Sequence, residues 1–258
     1  MNTEKIIKNL SKMNAYELRM ICREMKCKVG SKTQMIAHLL APLLKGKYKF
    51  RIKNILDNLP RDMLFLIADS LDFKSLKNLI SSETDEYVKN LLIQNIKFNN
   101  ETIKLAVSEY LESQIKAVQI YGNIGNWNVS NVSIMSNLFE NATLFNEDIS
   151  NWDTSNVTDM NEMFAGATAF NQPIGNWDTS NVTDMSFMFY NAKSFNQPIG
   201  KWDTSNVINM SNMFDGSASF NQNINDWKID NVWGSSNMFK NAASFDRKNS
   251  TWCGDSCF

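Results

Sequence analysis

Histidine is almost missing from this chain: His38 is the only one in 258 residues. Ser/His/Asp or Cys/His catalysis is therefore not expected, and His38, next to Leu39, reads as structural rather than as a ligand. Neither a G-x-x-x-x-G-K-[ST] phosphate loop nor a G-x-G-x-x-G turn occurs. The four cysteines, Cys22, Cys27, Cys253 and Cys257, are too few for a disulfide framework, which points to a reducing intracellular compartment, cytoplasmic or nuclear. Cys253 and Cys257 offer two thiols without matching metal ligands, so neither a metal nor a cofactor is expected. No apolar run approaches the roughly 18 residues of a membrane span. Residues 1–10 are polar and lysine-bearing, with no apolar core of a secretory signal, so no membrane association is expected. These absences together predict a chain that is not an enzyme.

The charge is small overall and unevenly placed. Residues 1–61 carry 14 Lys/Arg against 4 Asp/Glu, whereas residues 121–258 carry 6 against 14. A basic end and an acidic end suggest different surroundings for the two parts.

What the sequence has in abundance is a repeat. Trp127, Trp152, Trp177, Trp202, Trp227 and Trp252 follow one another at steps of 25 residues. Two phenylalanine columns keep the same step, one from Phe139 to Phe239 and one from Phe145 to Phe245. So does a column of Asn-Val pairs from Asn131 to Asn231, and the units that start at Phe170 and Phe195 agree at 17 of 25 positions. A fixed period of this length marks a stacked array, in which one unit buries its apolar face only against its neighbours.

Within the unit from Phe170, large apolar groups at Phe170, Ile174 and Trp177 precede a turn-forming Asp178-Thr-Ser-Asn181 stretch. Asp153, Asp178 and Asp203 open such turns and read as turn formers rather than calcium ligands. Val182-Thr183 is expected to be a short extended segment. Met185, Met188, Phe189 and Ala192 stand at i, i+3, i+4 and i+7, which predicts a short helix capped by Thr183 or Asp184. The constancy of the asparagine column implies side chains that bond the turn backbone of the next coil.

The consensus Phe-Asn-Gln-Pro-Ile-Gly-x-Trp-Asp-Thr-Ser-Asn-Val-Thr-Asp-Met-x-x-Met-Phe resembles the BspA-like leucine-rich-repeat class, known from bacterial surface and mycoplasma lipoproteins, over residues 120–252. The resemblance implies a leucine-rich-repeat-like solenoid of 25-residue coils, each with a short extended segment and a short helix, over residues 120–258, and the residue spacing before it reads as an all-helical N-terminal half. An exported surface adhesin is one function it implies.

Residues 1–45 read as helices. Ile6, Ile7, Leu10 and Met13 form one apolar stripe, and Leu18, Ile21, Cys22 and Met25 form a second. The segment from Glu17-Leu18-Arg19 through Gly30-Ser31-Lys32 to Met35-Ile36-Ala37-His38-Leu39 resembles the SAP family of DNA-binding modules. On that resemblance Lys26, Lys28, Gly30, Ser31 and Lys32 would meet the phosphate backbone, at a helix start suited to anions. Residues 46–84 follow. Leu59-Pro60, an apolar stripe at Leu64, Ile67 and Leu71, and a second helix ending near Ser81-Ser82 resemble an F-box. That resemblance implies a substrate receptor that docks a ubiquitin-ligase adaptor through Leu59, Pro60, Leu64, Ile67 and Leu71. Residues 85–119 are expected to form two helices that cap the stack. Asn100 is read as capping the second, with Ile103, Ala106, Val107, Tyr110 and Leu111 facing inward.

Recognition is expected where the repeat is broken outward. The column Ser133, Thr158, Thr183, Ile208, Trp233 turns from polar to large and apolar. Phe187 and Tyr190 likewise replace polar or small residues. The expected function is a non-enzymatic adaptor whose coils bind a protein partner through Phe187, Tyr190, Ile208 and Trp233. A DNA-tethering role for the basic end is the alternative.

Overall fold

The computed structural model describes residues 72–82 and 86–258. Its described residues divide into two compact units, one with residues 72–82, 86–96 and 119–122, the other with residues 97–118 and 123–258.

In the first unit, helices α1 (Phe73–Ser82) and α2 (Glu86–Ile93) bury Leu76, Ile80 and Leu92. Tyr121 stacks on Phe73, with ring centroids 6.0 Å apart, and the Lys77 ammonium lies 5.4 Å from the same ring. In the second unit, α3 (Asn100–Glu112) precedes α4 (Gln114–Tyr121), whose residues 119–121 lie in the first unit. Asn99, not Asn100, caps α3. Its side chain accepts from the N–H groups of Glu101 and Thr102, and its own N–H donates to the Thr102 hydroxyl. Ile103, Ala106, Val107 and Tyr110 are buried, whereas Leu111 is exposed.

From Asn123 onward the chain forms coils stacked at the 25-residue step. Phe139, Phe164, Phe189, Phe214 and Phe239 make one file of rings with centroids 5.5–5.7 Å apart. Phe145, Phe170, Phe195, Phe220 and Phe245 make another at 5.7–6.1 Å. Within a coil the two files touch, as between Phe164 and Phe170 at 3.9 Å. Five tryptophan indoles donate to an isoleucine carbonyl one coil back: Trp152 to Ile124, Trp177 to Ile149, Trp202 to Ile174, Trp227 to Ile199 and Trp252 to Ile224. The asparagine amides do the same at the surface, with Asn181 Nδ2 donating to the Ser155 carbonyl at 2.7 Å. Thr154, Thr179 and Thr204, all buried, donate forward to the carbonyls of Asp178, Asp203 and Lys228.

The path of the coil differs from the one the sequence suggests. The expected extended segment is reduced to one parallel bridge per coil, Ile134 to Asp159, Asp184, Asn209 and Gly234, and no β-strand occurs among the described residues. The expected helix over Met185, Met188, Phe189 and Ala192 is absent too, and no α-helix follows Tyr121. The reason lies in the hydrogen bonds. The N–H groups of Met160, Glu162, Phe164 and Gly166 donate to Asp184, Ser186, Met188 and Tyr190 of the next coil. The N–H groups between them, on Met163 and Ala165, close local turns onto Met160 and Glu162. A backbone that alternates in this way has neither the run of i to i−4 bonds of a helix nor the continuous ladder of a strand. Asn137, Glu162, Phe187, Asn212 and Asn237 also have φ of 55–62°, which breaks a right-handed helix in every coil. The leucine-rich-repeat solenoid, and with it the resemblance to the BspA-like class, is overturned, since that repeat contributes a strand from every coil. What regular secondary structure the described residues have is helical, α or 3-10.

Both ends of the stack are finished by side chains or carbonyls that replace a missing coil. At the start, Asn100 Oδ1 accepts from the N–H groups of Ser133 and Ile134 at 2.8 and 3.0 Å. Phe98 stacks on Trp127 at 4.8 Å, and Tyr110 meets the same indole edge-on. At the end, the Ser256 and Cys257 carbonyls accept from Asn237 and Phe239. The ring of Phe258 meets both phenylalanine files, 5.4 Å from Phe239 and 6.3 Å from Phe245. A Cys253–Cys257 disulfide closes this terminal loop.

Candidate functional site

The bridge column sets one outward line of residues. Thr158 and Thr183 use their hydroxyls to bond the carbonyls of Ser133 and Thr158 one coil back, both at 3.1 Å. Ile208 and Trp233 occupy the same position and have no hydroxyl to offer. Their backbones stay in register, with Ile208 N–H donating to Thr183 and Trp233 N–H to Ile208. Their side chains are 50% and 91% exposed, so the tryptophan rests against almost nothing.

Phe187 and Tyr190 lie in the turn that follows. Their rings meet edge-on with centroids 5.8 Å apart and an interplanar angle of 68°. Together they line a groove of about 340 Å³, shared with Glu140, Asn141, Glu162 and Asn191; neither Ile208 nor Trp233 lines it. The structure thus makes two separate pairs out of the four residues. Phe187 stands at φ 56°, in the column where Asn137, Asn212 and Asn237 also sit, and Glu162 is the other residue there that is not asparagine. Asparagine tolerates this left-handed region well and phenylalanine does not. Gly166, which also lines the groove, has φ 71°, and a Cβ there would come within 2.5 Å of Asn141 Oδ1.

The two carboxylates of the groove were not singled out by sequence reasoning. Asn137 Nδ2 donates to Glu140 at 3.1 Å and to Glu162 at 3.2 Å, so one amide bridges them. The available signal was Glu162 itself, which departs from the asparagine column just as Phe187 does. A second groove, of about 530 Å³, passes Pro173, Pro198, Gln222 and the opposite charges of Lys201 and Asp226.

Elsewhere the ionisable groups serve turns. The Ser180 hydroxyl, at 2.6 Å, and then its N–H, at 3.0 Å, bond Asp178 and hold its carboxyl below the usual range. Ser205 does the same for Asp203 and Ser150 for Asp148. Burial, then the charge of Glu147, pushes the Tyr110 hydroxyl up, against a hydrogen bond from Gln114. Among the described residues no group of three or more His, Cys, Asp or Glu is placed to hold a metal, and the Cys253 and Cys257 sulfurs are bonded to each other. No helix among them is long and apolar enough to cross a membrane. Lys26, Lys28, Gly30, Ser31 and Lys32, and likewise Leu59, Pro60, Leu64, Ile67 and Leu71, lie outside the described residues.

Neither a curated protein nor a solved structure matches the chain. A family model does, and its two overlapping matches, over residues 106–207 and 174–256, coincide with α3, α4 and the coils. Because those matches cover more than half of the 258 residues, the chain belongs to the family described as "Mycoplasma protein of unknown function, DUF285".

Proposed function

We propose that the stacked coils are a non-enzymatic protein-binding surface. The observation that carries this reading is the Ile208–Trp233 pair. At this position the threonine hydroxyls of Thr158 and Thr183 bond coil to coil. Isoleucine and tryptophan give up that bond and present side chains 50% and 91% exposed on adjacent coils. Two large apolar groups side by side, with no fold-building contact to account for Trp233, fit the anchor of an interface better than a packing role. The surface is acidic, with 14 Asp/Glu against 6 Lys/Arg over residues 121–258, which favours a basic partner.

The residues that would carry the ubiquitin-ligase and DNA-tethering roles lie outside those described, and the proposal does not use them.

The test is capture on the immobilised full-length chain, identification of the bound protein, and affinity measurement with Trp233→Ser and Ile208→Asn. At a true anchor Trp233→Ser weakens binding by about 2 kcal/mol or more and leaves the thermal midpoint in place. Unchanged affinity in both variants would reject the surface.

A further inference from the structure

The groove beside Phe187 has a chemistry that Ile208 and Trp233 do not share. Glu140 and Glu162 come from adjacent coils and lie side by side, both bonded to Asn137 Nδ2. Asn141 Nδ2 adds a bond to the other oxygen of Glu140 at 3.2 Å. These donors are neutral amides. Neither carboxylate has a cationic partner among the described residues, and no lysine or arginine lines the groove. Two carboxylates are therefore held together with no cation beside them among the described residues. Two aromatic rings at 68° to one another, Phe187 and Tyr190, line the same groove.

The backbone adds an independent observation. Five coils place a residue at φ 55–62° in this column, and three of them use asparagine. The two exceptions, Glu162 and Phe187, are neighbours, and both line this groove. A non-asparagine side chain costs stability at such a position. The repeat gives it up on two adjacent coils, where the side chains supply one carboxylate and one ring of the same recess.

We propose that this groove takes a lysine or arginine side chain of a basic partner protein, its charge between the Glu140 and Glu162 carboxylates and its methylene stem against the Phe187 and Tyr190 rings. Carboxylates and ring faces both attract a cation, and the rings also cover its apolar stem. The same pair of charges repels an acidic or phosphorylated side chain from this groove. The inference rests on the reading of the coils as a protein-binding surface and names the chemistry of a second anchor on it.

Hexalysine is titrated calorimetrically into the full-length chain at low and at physiological salt, with hexaglutamate as the control. Hexalysine is expected to bind, to weaken as salt rises, and to lose at least tenfold in affinity with Glu140→Gln/Glu162→Gln. The charge-matched pair Asp226→Asn/Asp230→Asn, which alters no carboxylate of the groove, should cost less than twofold. Phe187→Asn separates binding from folding, because it restores the residue that suits φ 56° while it removes a ring. It should raise the thermal midpoint and lower the affinity at least threefold. Equal losses in the two charge-neutralised pairs would reduce the effect to general surface charge and overturn the proposal, as would full affinity in Phe187→Asn. Self-association of the parent that Glu140→Gln/Glu162→Gln abolishes would put a second copy in the groove and overturn a distinct partner. Failure here leaves the Ile208–Trp233 surface standing, since Trp233→Ser tests it separately. Failure there leaves this groove with its own measured affinity.

Discussion

The indole of Trp177 donates to the carbonyl of Ile149, a residue 28 positions earlier and one coil back, at 3.2 Å. The ring is 4% exposed and packs on Phe164 with centroids 6.2 Å apart. One side chain thus contributes both apolar burial and a buried hydrogen bond to the same junction between coils.

Trp177→Ala should cost about 3–5 kcal/mol, and the Ile149 carbonyl would lose its partner as well. Trp177→Phe should keep most of the packing and cost less, with about 1 kcal/mol of its loss from the missing bond. Chemical denaturation of the two variants measures the split. Equal stability of Trp177→Ala and the parent would remove the tryptophan column from the core.

Phe187→Asn should stabilise the stack by about 1 kcal/mol, the scale of the left-handed penalty for an ordinary side chain. Gly166→Ala should do the reverse, since φ 71° and the nearby Asn141 side chain both oppose a Cβ. Thermal unfolding of both variants reads the signs. A loss of stability in Phe187→Asn would mean that the ring packs into the fold rather than serving the groove.

Reduction of Cys253–Cys257 should loosen the end of the stack first. The disulfide closes a loop with a sequence separation of 4, and the chain-entropy estimate for so small a loop is about 2 kcal/mol. Cys257 and Ser256 supply the carbonyls for the N–H groups of Phe239 and Asn237. Hydrogen exchange at those two amides should therefore rise in the double Cys→Ser variant, while the amides of Phe164 and Glu162 stay protected. Uniform loss along the stack would show that the loop supports more than the last coil.

Asp178 gives a pH signature. Its folded carboxyl is held below the usual range chiefly by the Ser180 hydroxyl. A depressed carboxylate contributes stability that is fully present above its unfolded value of about 3.9 and is lost as pH falls through the folded value. Ser180→Ala should therefore be less stable than the parent near neutral pH, with the gap closing in acid. A gap that persists undiminished in strong acid, once the carboxyl is protonated in both folded and unfolded chain, would assign the serine's role to something other than the ionised aspartate.

The 25-residue period, the tryptophan and phenylalanine columns and the coil-to-coil role of the asparagines were legible in the sequence alone. In a stack of near-identical coils, equal positions must meet, so the repeat itself dictates Phe164 on Phe189 and Asn181 on the turn of the preceding coil. The backbone path was not legible. Met185, Met188, Phe189 and Ala192 are all fully buried, and their spacing suits a helix and a chain of tight turns alike. What decides between them is whether the N–H of Phe187 reaches back along its own segment or across to Ser211 of the next coil, and only the presence of that coil settles it. The groove belongs to the same class of fact. Phe187 and Tyr190 were legible as departures from the repeat, but Glu140 and Glu162, far from them in sequence, were not. They line one recess because a hydrogen bond across coils and a left-handed backbone turn their side chains to the same side.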